Sequence, residues 1–149
     1  MSHKGRAAVV VSVVAIAVIG GAAALAAGSA LTPKLGSPNG KHVSPGRLRL
    51  TATTADATMV FAFVSRKRKL KHGTLVQCTN AAKGCLVAKM TPWKHHKDGW
   101  TYTAMNYNFP GFWATTPGKY YWQVQSFAKT PPCDGDCTFV SKVGTFTVR

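Results

Sequence analysis

The chain has 149 residues, enough for one ordinary domain plus a terminal segment. Its 19 Lys and Arg stand against four acids, all Asp, giving a formal net charge of +15. So few carboxylates leave little for paired acid–base catalysis, while such a field attracts polyanions and acidic membrane surfaces or simply keeps the chain soluble.

Met1 to Arg6 carries Lys4 and Arg6, and Ala7 to Leu31 holds no charge. A basic start before an apolar block addresses the chain to a membrane. Residues 1–31 therefore read as an N-terminal hydrophobic helix, either signal peptide or membrane anchor. Ala24-Leu25-Ala26 and Gly28-Ser29-Ala30 both suit a signal peptidase. Left uncleaved, residues 7–31 are long enough to cross a bilayer. Either way the basic flank keeps the N-terminus in the cytoplasm and places the remainder outside. Residues 32–45 are rich in Pro, Gly and Ser and read as a linker or extended lead-in with little sheet.

From residue 46 onward the patterning predicts strands only. Leu48, Leu50 and Ala52 alternate with Arg47, Arg49 and Thr51. Thr58 to Val64 is apolar on both faces, as a central strand would be. Further strands are expected over 74–79, 85–90, 99–107, 119–127 and 138–148. Pro117-Gly118 is a turn signal, after which Tyr120, Trp122 and Val124 share one face and Tyr121, Gln123 and Gln125 the other. About seven short strands with turn-rich connections, and no helical period, predict an all-β antiparallel two-sheet sandwich over residues 46–149.

Pro117-Gly118-x-Tyr120-x-Trp122-x-Val124, followed by the terminal Gly144-Thr145-Phe146-Thr147-Val148, resembles fibronectin type III and related immunoglobulin-like sandwiches of secreted or membrane-anchored bacterial proteins. The resemblance implies that Tyr120 is the corner tyrosine and that Trp122 and Val124 are core residues of the sixth strand. Many such domains carry a Trp in the second strand; here Phe61 or Phe63 would have to fill that place. The fold hosts many activities and names none.

Cys78, Cys85, Cys133 and Cys137 make an even count, which in an exported chain reads as two disulfides. The favoured pairing is Cys78 with Cys85, across a hairpin, and Cys133 with Cys137, around Asp134-Gly135-Asp136. A crossed pairing and a four-cysteine zinc site are the alternatives, but the spacings depart from structural zinc sites. His95-His96, set between Lys94 and Lys97, reads as a solvated loop. Met59, Met90 and Met105 read as core residues. Asp134 and Asp136 lack the further oxygens that calcium needs. No nucleophile elbow, phosphate loop or His-Glu-x-x-His pattern is present. The expectation is a protein that is not an enzyme and carries no cofactor.

Two functions remain. One is an exported binding or structural module at the cell surface that recognises a protein or glycan, with Trp93, Phe112, Trp113 and Tyr121 as candidate contacts. The other is a charge-driven binder of anionic envelope polymers, lipid headgroups or nucleic acid. Its candidates are Arg66, Lys67, Arg68, Lys69 and Lys71, which crowd one predicted hairpin loop.

Overall fold

The computed structural model describes residues 31–76, 84–105, 116–128 and 137–149. Every element of two residues or more among them is a strand. In chain order they are β1 (Lys34–Leu35), β2 (His42–Val43), β3 (Arg49–Thr54), β4 (Ala57–Ser65), β5 (Leu70–Lys71), β6 (Thr74–Leu75), β7 (Cys85–Lys89), β8 (Thr91–His96), β9 (Gly99–Met105), β10 (Gly118–Ala128), β11 (Thr138–Val140) and β12 (Gly144–Val148). The segment expected to form an N-terminal helix lies outside the described residues.

One sheet runs β1-β3-β9-β8; the other runs β2-β12-β10-β4-β7, with β11 beside β10. A single core cluster draws on both, with Leu50, Ala52 and Tyr102 from the first and Val60, Ala62, Trp122 and Phe146 from the second. The protein is thus all-β with several sheets, an arrangement compatible with a β-sandwich.

β10 is the spine of the larger sheet. It pairs antiparallel with β4 on one side and with β12 and β11 on the other. Its alternation puts Tyr120, Trp122 and Val124 in the core, each almost wholly buried. Tyr120 stacks on Phe146 with centroids 5.2 Å apart, and its hydroxyl donates to Thr116 O at 2.9 Å. A side chain at residue 144 would collide with Asn39, Leu35 and the Trp122 indole nitrogen, so a glycine there lets Trp122 seat.

Five sequence expectations need correction. Residues 32–45, read as a linker or extended lead-in with little sheet, are bound into both sheets. β1 pairs with β3, and β2 runs parallel to β12. Gly36 N donates to Thr51 O at 2.8 Å, Thr147 N to Lys41 O at 3.0 Å, and Asn39 Oδ1 accepts from Thr145 N at 3.2 Å. Thr54 Oγ1 and Ser126 Oγ both donate to Leu31 O, so packing extends back to Leu31. Phe61 and Phe63 stand opposite Gln125 and Gln123, outside the core cluster that takes Val60, Ala62 and Val64; Phe63 is nonetheless buried, at 4% exposure, and Phe61 half-buried. The strand expected over 138–148 is two strands. Between them Ser141 N donates to Val124 O and Ser141 Oγ accepts from Val124 N, each at 2.9 Å, so a side chain replaces one rung of the ladder. Finally, His95 and His96 belong to β8, not to a loop, and Met59 is 40% exposed, although Met90 is buried as expected.

The second face of β10 is also covered. Gln123 is 2% exposed. Its amide accepts from Leu75 N at 2.8 Å and donates to Gly73 O at 3.0 Å and Ser141 O at 2.9 Å. A buried amide so satisfied costs little, and here it fastens the β5–β6 hairpin onto the sheet. That hairpin turns at His72-Gly73, both at positive φ, as a two-residue turn of the twisted kind requires.

Candidate functional site

The five cations picked from the sequence do not act alike. Arg66 is part of the structure. Its backbone N–H donates to Gly84 O at 3.0 Å, its Nη2 donates to Pro117 O at 3.2 Å, and its guanidinium carbon lies 5.6 Å from the Tyr120 ring centre. Lys67, Arg68, Lys69 and Lys71 are exposed on the lead-in to the β5–β6 hairpin and on β5 itself. They form a charged rim.

The described cysteines, Cys85 and Cys137, are disulfide-bonded, and no described cysteine is free. A sulfur in a disulfide supplies no thiolate to a metal. Cys78 and Cys133, and with them the pairing, lie outside the described residues. So do Phe112, Trp113, Asp134 and Asp136. Of the other proposed aromatics, Tyr121 is half-buried, with Lys119 Nζ 5.5 Å from its ring centre. His95 packs on Trp100 at 4.7 Å, and His96 Nε2 lies 2.6 Å from Thr101 Oγ1.

The surface with most structure gathers around Trp93, which the sequence named, but through residues that it did not. In the smaller sheet, Leu50, Ala52, Tyr102 and Ala104 face the core. Period-two alternation therefore sends Arg49, Thr51, Thr53, Thr101 and Thr103 to the other side. β8 adds Thr91 opposite Thr103 and Lys94 opposite Thr101, with a register shift between Pro92 and Lys94. That bulge frees Trp93 from the ladder, and Trp93 is 58% exposed. The Arg49 guanidinium carbon lies 4.1 Å from the Trp93 ring centre, and Arg49 Nε donates to Thr103 Oγ1 at 3.4 Å.

Beside Arg49 opens a groove of about 220 Å³, lined by Ser37, Lys41, His42, Arg47 and Arg49 among others. It exists because residues 32–45 fold back onto β3 and β12. No carboxylate lines it. The described acids, Asp56 and Asp98, flank the far ends of β3 and β9, near the Thr54–Trp100 pair, whereas Arg49 pairs with Met105 at the other end. A six-residue strand separates the two ends by about 17–20 Å, more than a Debye length at physiological salt. Composition signalled the charge but not its gathering, because Lys41, Arg47 and Arg49 meet only through the fold-back. A second concavity of about 400 Å³ is lined by Lys34, Leu35, Asn39 and Lys142 among others. Among the described residues, the buried Trp122 Nε1 has no hydrogen-bond partner.

No protein-family model, no curated protein and no solved structure matches the chain. Among the described residues no helix is long and apolar enough to cross a membrane.

Proposed function

We propose that the protein is an exported, non-catalytic binding module with an immunoglobulin-like sandwich, and that it takes an anionic polymer at the cell surface as its partner. The sheet orders β1-β3-β9-β8 and β12-β10-β4-β7 support the fold reading, since they follow the two-sheet strand order of that superfold. The bond from Tyr120 to Thr116, four residues upstream, supports it as the tyrosine corner. Bonded cysteines and the basic, apolar N-terminus support export.

The observation that carries the partner is the groove at Arg49, where cations converge and no carboxylate joins them. A concave cluster of one sign focuses its field and raises the local concentration of the opposite charge. The test is binding of the full-length chain to polygalacturonate at two salt concentrations. By analogy with duplex DNA, engaging three or more cations should weaken binding by roughly ten-fold or more on a four-fold rise in salt. Affinity unchanged by salt would contradict a charged partner. Protection of the C-terminal domain from protease added to intact cells would contradict export.

A further inference from the structure

We infer that the outer face of the four-stranded sheet, together with the groove beside Arg49 of β3, binds an acidic polysaccharide. This rests on the reading of the protein as a binder of an anionic partner; it names that partner's class and the surface that takes it.

Three features coincide on this face. The first is an array of hydroxyls. Thr51 stands opposite Thr103, Thr53 opposite Thr101, and Thr91 opposite Thr103 on the other side. Side chains so placed recur at about 5 Å across strands and about 7 Å along them. Thr53 and Thr91 are exposed; Thr51 and Thr101 are half-buried, their hydroxyls held by Ser37 N and His96 Nε2, and Thr103 is buried with its hydroxyl on Arg49 Nε. Thr53 and Thr91 are the hydroxyls of this array left open to a sugar chain, and the other three fix the surface between them. The second is Trp93, an exposed aromatic plane beside the array. A pyranose ring presents an apolar face of C–H bonds, and an indole is the large rigid surface on which it can lie. Arg49 steadies this plane from one side through its stack and its bond to Thr103. The third is charge of one sign. Lys34 stands opposite Thr53 and Lys94 opposite Thr101, and Lys41 and Arg47 line the groove next to Arg49.

Charge alone would serve any polyanion. The exposed aromatic plane of Trp93, with the open hydroxyls of Thr53 and Thr91 on the same sheet, selects a chain of acidic sugars over bare phosphate. The face offers a bilayer nothing to bury: Trp93 is the one large apolar side chain more than a third exposed among its described residues.

The test uses the full-length chain with polygalacturonate, neutral dextran and inorganic polyphosphate as probes. Three variants are compared: Trp93→Ala, the pair Lys41→Ser and Arg47→Ser, and the rim set Arg68→Ser, Lys69→Ser and Lys71→Ser. All these residues are exposed, and an unchanged melting transition checks that each variant folds. The wild type should bind polygalacturonate well above dextran. Trp93→Ala should lower polygalacturonate affinity by about ten-fold or more while leaving polyphosphate binding nearly unchanged. The groove pair should weaken both polyanions, and the rim set should weaken polygalacturonate least. If polygalacturonate binding survives Trp93→Ala intact, or is lost chiefly with the rim set, the site proposed here is wrong and the broader anionic-partner reading stands. If the wild type binds neither polyanion, both readings fall.

Discussion

The Arg49 guanidinium on β3 reaches across β9 to lie 4.1 Å from the ring centre of Trp93 on β8. One strand of the sheet separates the two residues, and Thr103 of that strand accepts from Arg49 Nε. A cation over an aromatic face at an exposed site contributes about 0.5–1 kcal/mol. The pair is therefore a weak stabiliser that orders a surface. A double-mutant cycle on Arg49→Ala and Trp93→Ala, read by chemical denaturation, should give a coupling in that range. A coupling above about 2 kcal/mol would make the stack a structural element instead.

Trp122 lies at the other extreme, with no exposed surface and core neighbours from both sheets. Trp122→Ala should cost roughly 3–5 kcal/mol of stability. A measured loss below about 1 kcal/mol would show that the core does not depend on it.

The β5–β6 hairpin hangs on one amide. Gln123→Leu strips partners from Leu75 N, Gly73 O and Ser141 O. Leaving buried backbone groups unpaired should cost about 2–4 kcal/mol in all. Amide exchange at Leu75 should accelerate more than exchange at Met90, whose N–H donates to Val60 O elsewhere in the same sheet as Gln123. Equal acceleration at both would mean that Gln123 supports the whole sheet and not the hairpin in particular.

Tyr102 sets a limit at high pH. Burial raises its phenol above the ordinary value of 10.0, the hydrogen bonding with Ala57 works against the rise, and the charge of Asp56 adds to it. The fold thus holds the neutral phenol. Its contribution is complete below pH 10 and is lost as pH climbs through the raised folded value. The stability of the wild type relative to Tyr102→Phe should accordingly fall as pH passes 10, as thermal unfolding would report. A constant difference up to pH 11.5 would contradict the raised phenol.

Much of this fold is legible in the sequence. Wherever alternation is strict, as in Leu48 to Ala52 and in Tyr120 to Val124, the sequence places both strand and face. It fails where period two carries no information. β4 is apolar on both faces, so Phe61 and Phe63 looked as eligible for the core as Val60 and Val64. β8 is exposed at every position, so no alternation of buried and exposed residues marks it. Gln123 is polar and yet buried, because its burial depends on a hairpin fifty residues away. The segment 32–45 holds its place through backbone bonds to Thr51, Thr145 and Thr147, which leave no trace in composition. The groove follows from that fold-back, so its cations read only as scattered charge.

The most direct measurement is a backbone-amide chemical-shift map of the full-length chain titrated with an oligogalacturonate, with the Trp93 indole signal followed alongside. The largest shifts should fall on Lys41, Arg47, Arg49, Thr51, Thr101 and the Trp93 indole, with little change from Leu70 to Leu75. Shifts centred on Arg68 to Lys71, with Arg49 and Trp93 unmoved, would contradict the account.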